Sequence, residues 1–182
     1  NWPGVTVERK SGFFTEKIID VICKKAKFLA LNVQTNSTNY GFNIISKFPR
    51  ADYVCLDELE ALLAVRDRFA DIETVIVKIA QIMKAGRVNV TLGKKGSLSY
   101  SSKEDRICKI PALLTDSKDT VGTGDSYLSF TSPCALVEIP SDALGFLGSI
   151  VGSLASKIVC NEKAVRIKEI KTFLRRFYDE NY

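Results

Sequence analysis

The 182 residues, 46% of them hydrophobic, suit one domain with a substantial core and exclude a compositionally disordered chain. A net charge of +5, from 26 basic against 21 acidic residues, comes without long basic blocks or clustered aromatics and argues against a nucleic-acid binder. Histidine is absent, which removes Ser-His-Asp and Cys-His catalysis and most histidine-ligated metal sites, so carboxylates must do any acid–base work. The five cysteines, Cys23, Cys55, Cys108, Cys134 and Cys160, are odd in number and form no CxxC pair, as expected of reduced thiols in a cytoplasmic protein rather than a zinc site. No basic region followed by a long apolar core opens the sequence, and the uncharged run 143–156 is short and rich in Gly and Ser, so a buried helix is expected there and no membrane span.

In chain order, residues 1–12 read as an irregular lead-in. Helical spacing of Ile18, Ile19, Ile22 and Ala26 predicts a helix over 15–27 with Thr15 as N-cap, followed by a strand buried on both faces at 28–33. The alternation repeats, with a short helix at 40–48, a strand at 52–56, a helix at 57–69, a helix at 72–85 closed by Gly86, and a strand at 88–92. Strands alternating with helices predict a parallel central sheet. Residues 97–101 and 106–110 read as a hairpin at an antiparallel edge. A helix after residue 122 is expected to stop or kink at Pro133, and helices at 142–159 and 168–178 close the chain. Gly145, Gly148 and Gly152 predict a close-packed neighbour for the first of these two.

The stretch 118–129, KDTVGTGDSYLS, joins a glycine loop to a helix mouth. Gly122 and Gly124 flank Thr123, so successive N–H groups can approach an anion, and the positive end of the following helix faces the same point. Asp125 has two readings. It is a base that takes the proton of an attacking hydroxyl in phosphoryl transfer, or it caps the helix while the glycines form an ordinary turn. Thr91, Leu92, Gly93, Lys94, Lys95 and Gly96 follow a buried strand, where open α/β sheets bind ligands, but lack Walker A spacing; a glycine turn in a hairpin is the alternative. The polar run 32–39 reads as a turn that satisfies its own backbone, and as a binding edge in the alternative.

The residues DTVGTGDSYLS resemble the C-terminal signature of the PfkB-type, ribokinase-like carbohydrate kinases, written DTxGAGD, with Thr123 where the family commonly has Ala. This resemblance implies a three-layer α/β/α fold with a mainly parallel sheet and an antiparallel edge hairpin. It also implies ATP-dependent phosphorylation of a sugar or sugar-phosphate hydroxyl. It assigns Asp125 as base, Gly122, Thr123 and Gly124 as anion hole, and Asp119 to a monovalent-cation loop. The TLGxxG segment then places Thr91, Leu92, Gly93 and Gly96 in the nucleotide site beside Gly124, leaving both lysines solvated or one near a phosphate. In DELEA, Asp57 and Glu60 resemble the NxxE element that organises Mg²⁺ and phosphate, with Asp57 replacing the usual Asn; a capping box is the alternative. The resemblance runs from about Phe28 onward and corresponds to the nucleotide-binding part, so an N-terminal sugar-binding portion is expected to be missing, with a homodimer as a further possibility. A noncatalytic or truncated nucleotide-binding relative is the alternative function. A SAM- or dinucleotide-binding Rossmann protein is weaker, because Tyr127 stands where a third glycine is needed.

Overall fold

The computed structural model describes residues 4–8, 14–35, 43–113, 122–159 and 162–181. Among these, six strands form one sheet in sequence order: β1 (Gly4–Glu8), β2 (Leu29–Val33), β3 (Tyr53–Asp57), β4 (Arg87–Thr91), β5 (Ser97–Ser101) and β6 (Arg106–Ile110). The first four run parallel, and β4, β5 and β6 are antiparallel, as the hairpin reading predicts. Six helices accompany them: α1 (Glu16–Lys25), α2 (Glu58–Val65), α3 (Ile72–Met83), α4 (Thr123–Leu136), α5 (Ser141–Ala155) and α6 (Ile167–Asn181).

The period-2 alternation of the strands divides the core into two layers. Leu29, Leu31, Val33, Val54, Leu56, Val88 and Val90 face Ile19 and Cys23 of α1 and Val75, Ile76, Ile79 and Met83 of α3. Ala30, Tyr53 and Cys55 point the other way, onto Tyr127 and Leu128 of α4 and Leu144 of α5. Both faces are therefore covered, which is why these strands read as continuous apolar runs. Burying each of the larger aliphatic side chains contributes about 1.5–3 kcal/mol before conformational entropy is subtracted. A third cluster joins Ile150 and Val151 of α5 to Ile170 of α6. No helix among the described residues is long and apolar enough to cross a membrane. Cys23, Cys55 and Cys108 are buried free thiols, Cys134 is a half-buried one, and Cys160 lies outside the described residues.

Five expectations need correction. The lead-in contains β1, whose β-branched Val5, Thr6 and Val7 suit a strand and pair with Ala30, Leu31 and Asn32. The expected helix over 40–48 is, where described, a single 3-10 turn at Ile45–Lys47, because Phe48 precedes Pro49 and is held extended. Helix α3 closes two residues before Gly86, with Lys84 in the left-handed region (φ 53°) and the Ala85 N–H donating to the Ala80 carbonyl at 2.9 Å; α2 ends the same way at Arg66 rather than running to Phe69. Finally, of the stop or kink expected at Pro133, the stop is not seen: α4 continues through it to Leu136. Proline removes the N–H that would serve the Ser129 carbonyl, but Ser129 and Pro133 both lie on the exposed side, which solvent can reach. On the buried side the hydroxyls of Thr131 and Ser132 donate to the carbonyls of Tyr127 and Leu128 at 2.8 and 2.6 Å.

Candidate functional site

Parallel pairing brings the C-terminal ends of the central strands to one edge, with Asp57 at the end of β3 directly opposite Thr91 at the end of β4. A cleft of about 910 Å³ opens there. Its walls are the β3–α2 junction, the turn after β4, the mouth of α4 and one face of α5. Asp57, Glu60, Thr91, Leu92, Gly93, Gly96, Gly122, Thr123, Gly124 and Asp125 all line this single cleft. Asp119 lies outside the described residues.

At the β3–α2 junction the capping box is present. Asp57 Oδ1 accepts from the Glu60 N–H at 2.7 Å, and Glu60 Oε2 accepts from the Asp57 N–H at 3.0 Å. Glu60 also does something a cap does not require: its Oε1 accepts from the Thr35 N–H at 3.0 Å, tying the loop after β2 to α2. Burial, assisted by the Asp57 charge, pushes the Glu60 carboxyl up to about 7, and burial raises Asp57 in the same direction. Each of these oxygens keeps a further lone pair. Carboxylates so placed fit Mg²⁺, which binds through one or two of them together with phosphates and waters. Among the described residues no group of three or more acidic or thiol side chains converges as a self-sufficient metal cage.

The turn after β4 is both a hairpin turn and a cleft wall. Gly93 (φ 57°) and Gly96 (φ 98°) occupy left-handed backbone, and the Leu92 N–H donates to the Gly96 carbonyl at 2.8 Å. A Cβ on Gly96 would lie 2.0 Å from the Ile110 carbonyl oxygen, so glycine is demanded there by packing against β6, whereas a Cβ on Gly93 would meet nothing within 4 Å.

At the third wall Gly122 (φ 79°) is the N-cap of α4 and offers no side-chain cap. Asp125 therefore stands in the first turn, three residues inside the cap, and not at the cap itself. The early N–H groups of a helix have no intrahelical partners. Here a 14-residue helix aims them at the cleft with its positive end. A Cβ on Gly124 would meet nothing within 4 Å, so backbone is accessible there. Thr123 Oγ1 is buried without a hydrogen-bond partner.

Beneath this mouth lies a polar bracket that the sequence reading missed. Asn89 Nδ2 donates to Tyr127 Oη at 2.8 Å, and Ser99 Oγ donates to Asn89 Oδ1 at 3.0 Å. The hydroxyls of Ser97 and Ser149 are 3.2 Å apart, and Tyr53 Oη donates to Thr131 Oγ1 at 2.9 Å. The Tyr127 ring rests on Gly148 of α5, fixing α4 against α5. The contact at Gly148 is the close neighbour expected for α5 from its glycines; the signal left unread was an Asn between two valines in β4. Of the polar run 32–39, Asn32 within β2 and Gln34 and Thr35 beyond it line the cleft, and residues 36–39 lie outside the described ones.

The Rossmann reading lacks its required element, since the strand nearest before the glycine loop among the described residues is the antiparallel β6. Residues 13–155 match the family model of the pfkB family carbohydrate kinases. No curated protein matches the chain. Among solved structures, phosphofructokinase-2 from Escherichia coli in complex with substrates and products superposes with a TM-score of 0.74 at 18% identity, covering 94% of this chain and 56% of that one. Ribokinase from Thermotoga maritima gives 0.71 at 16% identity, with 87% and 53% covered. Ribokinase from Giardia lamblia gives 0.68 at 20%, with 89% and 55% covered. The chain thus spans about half the length of the structures it resembles, and with most of its sequence matched by one family model it belongs to the pfkB family of carbohydrate kinases.

Proposed function

We propose that the cleft binds the phosphates of Mg–ATP and that the protein transfers the terminal phosphoryl group to a hydroxyl of a sugar or sugar phosphate. The observation that carries this reading is convergence: the TLGKKG turn, the DELEA junction and the VGTGD helix mouth, far apart in sequence, line one cleft at the C-terminal edge of a parallel sheet. In the mechanism, the N–H groups of Gly122, Thr123 and Gly124 hold the charge that develops on the equatorial phosphoryl oxygens. Asp125 accepts the proton of the acceptor hydroxyl as the new O–P bond forms and the bond to the leaving diphosphate breaks. Thr91, Leu92, Gly93 and Gly96 form the nucleotide-facing wall. Asp57 and Glu60 would hold Mg²⁺, which supplies positive charge against the phosphates when bound. Asp119 is assigned to a monovalent-cation loop on the family resemblance. Further sequence of the kind the longer neighbours carry, or a second copy of the chain, supplies the rest of the acceptor site.

The test is Asp125→Asn in the protein with its acceptor-binding portion. The amide keeps the shape of the carboxylate and loses the base, so turnover falls by about 10²-fold or more while Mg–ATP affinity stays within about threefold. Equal turnover in both forms refutes the base assignment.

A further inference from the structure

The turn Gly93–Lys95 carries two adjacent lysines that the fold treats differently. Its base is fixed, because Gly96 is pressed against the Ile110 carbonyl and the Leu92 N–H is bonded to the Gly96 carbonyl. Both lysines leave this turn as exposed side chains. Lys95 reaches across to α2, where its Nζ lies 3.3 Å from Glu58 Oε1. Lys94 lines the cleft.

The charges around the cleft give this division its meaning. Among the described lining residues, Asp57, Glu58, Glu60 and Asp125 carry carboxyl groups, and Lys94 is the one cationic side chain. A cleft of that composition repels an anion unless positive charge is supplied locally. A helix dipole supplies only a fraction of an elementary charge, Lys95 is paired with Glu58, and the Mg²⁺ proposed above would be held by Asp57 and Glu60, whose own carboxylates it offsets. Resting on the nucleotide reading above, we propose that Lys94 is the side chain that selects the phosphorylated form of the ligand, by contacting the β- and γ-phosphates at the cleft rim, while Lys95 only offsets Glu58. An ammonium on a flexible stem suits this role, since it follows the moving terminal phosphate as a point charge.

Calorimetric titration of the chain with Mg–ATP and with adenosine tests it. Lys94→Met is expected to weaken Mg–ATP by about tenfold and to flatten the salt dependence of binding, while adenosine affinity stays within about twofold. Lys95→Met, with Lys94 still in place, is expected to weaken Mg–ATP by less than about threefold. Equal losses from the two lysines, an equal loss for adenosine, or no loss in Lys94→Met overturns the assignment while leaving nucleotide binding intact. A wild-type chain that binds neither ligand overturns the nucleotide reading itself, and the role of Lys94 with it.

Discussion

Replacing Gly148 with Ala probes the contact that seats the helix mouth. An added Cβ would lie 2.1 Å from Tyr127 Cζ and 2.4 and 2.6 Å from Cε2 and Cε1, far inside van der Waals contact. The ring has little room to withdraw, since Tyr127 is only 2% exposed and its hydroxyl is bonded to the fully buried Asn89. Overpacking of this kind costs about 1–3 kcal/mol. Displacing the ring also breaks the Asn89 bond and leaves a buried amide unpaired, a further cost of about 1–3 kcal/mol. Against this, Ala in a helix interior gains about 1 kcal/mol over Gly. The net expectation is a loss of about 3 kcal/mol, or about 6–12 °C in Tm for a chain of this size. Chemical denaturation of Gly148→Ala, Tyr127→Leu and the double variant measures it. Shortening Tyr127 removes the clashing ring tip, so in the Leu background Gly148→Ala should keep only its helix-propensity gain of about 1 kcal/mol, giving a coupling of about 4 kcal/mol. A Gly148→Ala protein within about 0.5 kcal/mol of wild type, or strict additivity in the double variant, refutes the reasoning.

The Glu60 carboxyl, raised from 4.5 to about 7 chiefly by burial, gives a pH dependence of definite sign. Between those values the native chain keeps a proton that the unfolded chain has lost, so stability falls as pH rises through the window, by up to about 3 kcal/mol; denaturation midpoints in wild type and Glu60→Gln check this, and a flat wild-type profile contradicts it. Asp125→Asn should cost no more than about 1 kcal/mol of unfolding free energy, the size of a first-turn charge at a helix N-terminus, because Gly122 and not Asp125 occupies the N-cap; a larger loss in denaturant titration would make its role structural.

The layered fold was legible because its strands are buried on both faces, and a run such as LALNV or YVCLD admits little else once helical spacing brackets it. The hairpin bounds emerged intact for a similar reason: Ser97–Ser101 and Arg106–Ile110 are separated by a charged turn. Helix ends were less legible. A lysine and an arginine in left-handed backbone terminate α3 and α2 without a glycine to announce them, and Schellman-type bonds absorb the cost. The stop expected at Pro133 does not occur; local sequence does not say which side of a helix faces water. The cleft residues could be named from their spacing and family likeness, yet the Asn89–Tyr127–Ser99 bracket and the Glu60–Thr35 tie join residues distant in the chain, and nothing in local pattern encodes such pairings.

The central claim is that three separate segments of this chain meet on one nucleotide. Backbone amide resonances followed during a titration with Mg–ATP test it most directly, since each segment reports for itself. The account predicts saturable shifts concentrated at Asp57, Glu60, Thr91, Gly93, Gly96, Thr123, Gly124 and Asp125, all fitting one dissociation constant, with the amides of α1 and α6 unmoved. Shifts confined to other surfaces, different constants for the two glycine segments, or no shifts at millimolar Mg–ATP would contradict it.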